Sequence, residues 1–465
     1  MRLILIALLC ACTTCFAQER EDRLPAGVAQ ALAQAGLPLT SIGIYVHEAG
    51  AERPVLAVGD MRALNPASTI KLLTTLAALD QLGPAYQWTT EAYASAALQG
   101  DVLAGDLVLR GTGDPRLTLE NFWLMLRELR GRGLREIRGD LVLDRSFFAG
   151  VETGDAGSFD NEPSRPYNTP PDALLVNFKS LLIQFIPDPA NKQARVHVEP
   201  PLAGVKLPLT VPLSSADCGD YRGGLKADFS NPLEVVFGGT YPLACGEKTW
   251  PLAYADPTRF AARAVHGMWL LLGGQLAGAV REGTVPVGLK PLLFHESPTL
   301  AEVVRDINKF SNNVMAEQVF LTLGAQQRQP GTYAQSAEAV QSWWRERLPA
   351  FTAPQLDKGS GLSRETRISA QSLAGLLQWA WMQAFMPELV ASLPVTGLDG
   401  TLKRSKSSAL AHLKTGSLRD VMGIAGYVDA ANGQRYVLVA IVNHANAHQA
   451  RPVLDALIDW TAGKP

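Results

Sequence analysis

The sequence predicts an α/β (α+β) domain interrupted by a long β-rich insertion that forms one or two extra domains. Strand-forming runs stand near both ends of the chain, and helical texture dominates from about residue 297 to 389. Between about residues 90 and 290 the texture changes to short β-rich runs punctuated by Gly, Pro and Asp. At 465 residues the chain has room for more than one hydrophobic core.

The first elements are read from residues 41–47 and 54–58, two apolar runs around a Gly/Ala/Glu-rich turn, which predict a β-hairpin. From Ser68 to Leu82, Ile70, Leu72, Leu73, Leu76, Leu79 and Leu82 recur at near-helical spacing with few polar faces, so this helix is expected to be central and buried, with Ser68 at its N-terminus. In the insertion, Gly-Asp-Leu-Val-Leu occurs at 105–109 and again at 139–143, with an amphipathic helical pattern from Leu117 to Arg130 between the copies. Residues 166–262 carry many prolines and read as a second, loop-rich all-β piece. Ser297 followed by Pro298 offers an N-cap with proline at the first helical position. Near the end, 423–428 and 436–442 flank Asn432-Gly433, which predicts a hairpin with a type I′ turn, and a last helix is expected from about Ala450 to Trp460.

The expected domains are therefore 18–90 with 291–465, an α/β insertion at 91–165 with 263–290, and a β-rich insertion at 166–262. Residues 1–17 place one arginine before a short apolar run that ends in small residues at Ala17, the order of an export signal. Leu9-Cys10-Ala11-Cys12 offers a competing lipoprotein-type cleavage before Cys12. No later stretch is apolar enough to predict a transmembrane span. Cys10, Cys12 and Cys15 fall in the signal, leaving Cys218 and Cys245, for which export favours one disulfide over two buried thiols. A formal net charge of −2 with 18% charged residues leaves no basic stripe for nucleic acid or a polyanion.

A serine hydroxyl needs a base before it can attack a carbonyl. Ser68 and Lys71 stand three apart on one predicted helix face, where a lysine held neutral by burial or by other cations could take the hydroxyl proton. That spacing alone is common enough to arise by chance, and alone it reads as a helix cap with a surface lysine. It is joined by Ser311-Asn312-Asn313 beside a predicted helix and by Lys414-Thr415-Gly416-Ser417 just before the C-terminal strand pair. The seven histidines form no H-E-x-x-H, no carboxylate cluster has metal-ligand spacing, and no Walker loop is present, so neither a metal nor another cofactor is expected.

The ordered set Ser-x-x-Lys, Ser-x-Asn, Lys-Thr-Gly resembles the active-site signature of penicillin-binding proteins and serine β-lactamases. Segments 66–74, 111–115, 308–317, 359–364, 393–401 and 414–417 sharpen this to a resemblance to D-alanyl-D-alanine carboxypeptidases and endopeptidases of the penicillin-binding protein 4 type, over nearly the whole mature chain. The long insertion between the first two motifs also resembles that group. Lys358 departs from it, standing where Asp or Asn is expected before Gly359-Ser360-Gly361.

The resemblance implies a β-lactamase/transpeptidase-like catalytic domain, a periplasmic location, and peptidoglycan stem peptides, cross-links and β-lactams as partners. It implies Ser68 as nucleophile, Lys71 as base, Ser311 as proton carrier, and Asn313 as a holder of Lys71 and the substrate amide. Backbone N–H groups of Ser68 and Ser417 would form the oxyanion hole, and Lys414, Thr415, Gly416 and Ser417 the clamp for a terminal carboxylate. Asp144 and Arg364 are candidates for gripping the diamino-acid side chain, against the plainer reading of solvated surface charges. A β-lactamase or esterase on the same fold, and a β-lactam sensor that acylates without turnover, are the rival readings.

Overall fold

The structure is a computed structural model and describes residues 24–151 and 157–464, so the expected signal with its three cysteines lies outside the described residues. The chain folds into two compact units. One takes the described residues up to Tyr86, Thr299–Gln327 and those from Tyr333 onward; the other takes Gln87–Pro298 and Arg328–Thr332.

In the first unit both ends of the chain enter one five-stranded sheet, in the order Ala411–Leu418, Val421–Asp429, Arg435–Asn443, Ile42–Glu48, Pro54–Val58. Every neighbouring pair is antiparallel. Tyr45 stands opposite Val439, so the first expected hairpin is sewn to the last one. The run Tyr436–Val442 is apolar without alternation because both faces of its strand are covered. Ile42, Ile44, Val46, Leu438 and Ala440 pack with Val28 and Leu32 of the helix Ala26–Gln34 and with Leu454, Leu457 and Ile458 of the helix Arg451–Ala462. The opposite face meets the helix Ala370–Trp381 and a short 3-10 turn, Ala67–Ile70.

That turn leads directly into the helix Lys71–Leu82, which is buried from Lys71 to Leu79 and packs on the helix Asn313–Gln327. The latter is buried at every residue from Asn313 to Ala325. Helices that are apolar all round belong inside a domain. The two therefore form the interior of the helical layer, and the starts of both supply residues to the site.

Two local expectations are corrected. The helix Leu300–Phe310 is capped by Thr299, not Ser297, because Thr299 and Glu302 close a reciprocal capping box; the Ser297 hydroxyl accepts instead from the Trp88 N–H. The Asn432-Gly433 turn is not type I′, which needs φ > 0 at both residues; of the two only Gly433 has it, at 79°, closing a five-residue loop whose Gly433 N–H returns to the Ala430 carbonyl. Lys414 to Ser417 precede the strand pair, as expected, and lie within a strand of their own, at the edge of the sheet.

In the second unit the two copies of the five-residue echo lie side by side. Leu107 pairs with Leu141 and Leu109 with Leu143 in parallel register, joined through the helix Leu119–Gly131. They sit in a five-stranded sheet ordered Val280–Glu282, Leu141–Asp144, Leu107–Gly111, Thr89–Ala94, Leu293–Glu296. A second five-stranded sheet is built mainly on Ser180–Asp188, Gln193–Glu199 and Lys248–Ala253, and Cys218 is disulfide-bonded to Cys245 beside it. Phe122, Leu126 and Leu129 share one apolar cluster with Ile183, Phe185 and Val211. Residues on both sides of positions 166 and 262 thus contribute to one apolar cluster.

Candidate active site

The turn that carries Ser68 is held by amides. Asn443, at the end of the strand Arg435–Asn443, accepts the Asn65 N–H at 2.7 Å and donates its Nδ2–H to the Asn65 carbonyl at 2.9 Å. Asn65 Nδ2 donates to the Ser363 carbonyl at 2.9 Å, and its Oδ1 accepts the Ala67 N–H at 2.8 Å. These bonds fix Ala67 at φ 46°, a left-handed conformation costing a non-glycine residue on the order of 1–2 kcal/mol. Such local strain is sustained when the surroundings over-determine the backbone. Two glycines crowd the same turn. A Cβ on Gly361, at φ 79°, would stand 2.1 Å from the Ala67 carbonyl oxygen, and one on Gly416 would stand 2.6 Å from the Pro66 oxygen and 3.2 Å from the Ser68 nitrogen. The edge strand therefore reaches the nucleophile only because position 416 has no side chain.

Lys71 is fully buried. Its Nζ lies 2.9 Å from Ser68 Oγ, 2.7 Å from Asn313 Oδ1 and 2.5 Å from the Ser360 carbonyl oxygen. Burial lowers its pKa to about 7, against the attraction of the Glu317 carboxylate, which works the other way. A neutral lysine has two N–H bonds and one lone pair. Asn313 and Ser360 offer two acceptors for the two hydrogens, leaving the lone pair for the Ser68 hydroxyl. Lys414, buried in the edge strand, is held well below the ordinary lysine value by its burial and by the nearby Lys71 cation. Its Nζ donates to Ser311 Oγ at 2.8 Å and to the Thr415 carbonyl at 2.7 Å. Ser311 takes φ 57° at the C-terminus of the helix Leu300–Phe310, and that reversal sets it and Asn313, the first residue of the next helix, beside the two lysines.

Ser68, Ser311, Thr415, Gly416 and Ser417 line one cavity of about 630 Å³. The structure thus brings together the six polar side chains of the three motifs. Arg364 is exposed and pairs with Asp420 at 2.9 Å. Asp144 is buried in the second unit rather than a solvated charge; its carboxylate accepts from the Ser146 N–H and hydroxyl and from the Val285 N–H. Lys358 holds its ammonium 5.7 Å from the centre of the Tyr333 ring, and Asp357 beside it accepts from the Ser363 and Thr366 hydroxyls, tying the loop that carries Ser360.

Sequence reasoning missed several contributors. Ser360 acts through a backbone carbonyl, which no side-chain pattern reveals, although Gly359-Ser360-Gly361 was visible as a segment. Glu317, buried, accepts from Ser360 Oγ at 2.6 Å and from the Tyr333 hydroxyl. Asn65 and Asn443 are 378 residues apart, and nothing in their local sequence couples them. Thr401 meets the Thr415 hydroxyl at 2.7 Å.

Comparison with known proteins agrees with this geometry. The family model described as the D-Ala-D-Ala carboxypeptidase 3 (S13) family matches residues 24–464. The chain belongs to that family. It is accordingly a serine-type D-Ala-D-Ala carboxypeptidase, a hydrolase. Among curated S13 relatives, the D-alanyl-D-alanine carboxypeptidase DacB of Haemophilus influenzae is 27% identical over 392 residues, covering 81% of this chain and 80% of its own. The D-alanyl-D-alanine carboxypeptidase of Actinomadura sp. is 28% identical over 408 residues, 83% of this chain and 74% of its own. The crystal structure of penicillin binding protein 4 from H. influenzae superposes with a TM-score of 0.77 at 22% identity, covering 94% of this chain and 99% of that one, which shows the shared fold. Among the described residues, no helix is long and apolar enough to cross a membrane.

Proposed function

We propose that this S13 protein is an exported, periplasmic D,D-carboxypeptidase and D,D-endopeptidase that trims peptidoglycan stem peptides and hydrolyses their cross-links. The observation that carries the reading is the buried Lys71 amine, with two acceptors for its hydrogens and Ser68 Oγ at 2.9 Å for its lone pair.

Lys71 takes the Ser68 proton as Oγ attacks the carbonyl of the penultimate D-alanine. The oxyanion is received by the N–H groups of Ser68 and Ser417, and the closeness of the Gly416 backbone to Ser68 supports that pairing. Lys414 brings positive potential, and the Thr415 and Ser417 hydroxyls meet the leaving group's carboxylate. Ser311, bonded to Lys414, lies in the same cavity as Ser68 and is placed to relay the proton held by Lys71 to the leaving amine, which leaves Lys71 neutral again. The C–N bond breaks, and water, deprotonated by the neutral Lys71, attacks the acyl-enzyme to release the shortened peptide. A β-lactam follows the first half of this path and remains on Ser68. H. influenzae penicillin binding protein 4 has been crystallised with a β-lactam, which supports extending that chemistry here. Arg364, exposed and paired with Asp420 of the turn between two strands of the sheet, is proposed to act on the diamino-acid end of the substrate.

Intact-mass measurement after incubation with penicillin tests the reading. One adduct is expected on the wild type, mapping to Ser68, and none on Ser68→Ala; equal labelling of both would refute it.

A further inference from the structure

The cavity that holds Ser68 does not end at the carboxylate clamp. It continues round the edge strand to the start of the C-terminal helix, and its far wall carries Lys403, Arg404 and Arg451. All three are exposed, and among the described residues no carboxylate stands within ion-pairing distance of them. The one acid in this stretch, Asp455, accepts a hydrogen bond from Ser405 Oγ at 2.8 Å, so the wall is positive on balance. Met422 and Leu454 contribute an apolar floor. The extension adjoins the clamp at Thr401, whose hydroxyl touches that of Thr415, and Lys403 and Arg404 follow Thr401 by two and three residues.

We propose that this extension is a subsite for the leaving half of a cross-link, a carboxylate-bearing stem peptide. The inference rests on the function proposed above and names the substrate for which the site is shaped. Released D-alanine fills only the clamp. The leaving group of a cross-link is an amine on a second stem peptide, which carries further carboxylates and several apolar methylenes. Exposed cations above an apolar floor, contiguous with Ser68, complement that chemistry. In the step concerned, Ser68 Oγ bonds to the D-alanyl carbonyl carbon, the C–N bond to the second stem breaks, and the amine departs with the proton relayed through the site. Water then hydrolyses the ester. Lys403, Arg404 and Arg451 take no part in the bond changes; they hold the departing peptide.

The test compares two substrates on the full mature chain, a monomeric pentapeptide muropeptide and a cross-linked muropeptide dimer. In the Arg404→Ala/Arg451→Ala variant, the ratio of dimer cleavage to D-alanine release, each as kcat/KM, is expected to fall about five- to tenfold, the size implied by losing two exposed ion pairs. The same ratio in the wild type should fall as salt rises, because exposed pairs are screened. An unchanged ratio, or equal losses on both substrates, overturns the subsite. Wild-type protein that releases D-alanine but leaves the dimer intact overturns it as well, while protein that acts on neither refutes the enzymatic reading itself.

Discussion

If Lys71 is the base, the rate of β-lactam acylation must follow the fraction of Lys71 that is neutral. With its pKa lowered to about 7, that fraction is about 9% at pH 6, about 50% at pH 7 and about 91% at pH 8. The second-order acylation constant should therefore rise about fivefold from pH 6 to 7, less than twofold from 7 to 8, and then level off. An ordinary lysine, near 10.4, would give a tenfold rise per unit across that whole range. Lys71 faces Ser68, Asn313 and the Ser360 carbonyl, with Glu317 and Lys414 as its charged neighbours. Glu317→Gln removes an attraction that favours the ammonium, so the plateau should begin at lower pH in that variant. The assay is time-resolved labelling with fluorescent penicillin from pH 5.5 to 9 at constant ionic strength. Lys71→Met should lower the constant roughly 10²- to 10⁴-fold and abolish the profile, the usual range for loss of a positioned base. A wild-type rate still climbing tenfold per unit at pH 8, or a flat profile, would refute the assignment of Lys71.

Three further outcomes follow from the same geometry. Gly416→Ala places a methyl 2.6 Å from the Pro66 oxygen and forces the edge strand off the turn that carries Ser68; acylation should drop about 10²-fold, the scale of one lost oxyanion donor, and Tm should fall too because the clash is with backbone. Asn443→Ala removes both amide bonds to Asn65, and roughly tenfold slower acylation is expected, with the pH midpoint unmoved because Lys71 keeps its partners. A midpoint that shifts would show that the amide pair acts through Lys71 instead. Replacing Cys218 and Cys245 with serine opens a loop spanning 27 residues and should cost the second unit about 3.5 kcal/mol in the chain-entropy treatment, measurable by limited proteolysis. Penicillin labelling should persist, since every residue of the acylation site belongs to the first unit.

The sequence by itself determined the chemistry. Ser68 with Lys71, Ser311 with Asn313, and Lys414 through Ser417 were legible because side-chain identity and spacing survive in one dimension, and three motifs in order are far rarer than any one alone. The strands at both ends and the βα-rich echo were legible for the same reason: apolar periodicity is local. Tertiary structure alone decided what lowers the pKa of Lys71. Its depressed pKa comes from complete burial, and its orientation from a carbonyl at Ser360 and an amide at Asn313, contributed by segments far apart in the chain. The left-handed Ala67, the Asn65–Asn443 lock and the shared core of the insertion also depend on long-range packing. Whether a lysine is neutral, or two strands share a core, is set by what surrounds them in space, and a linear pattern carries no measure of desolvation.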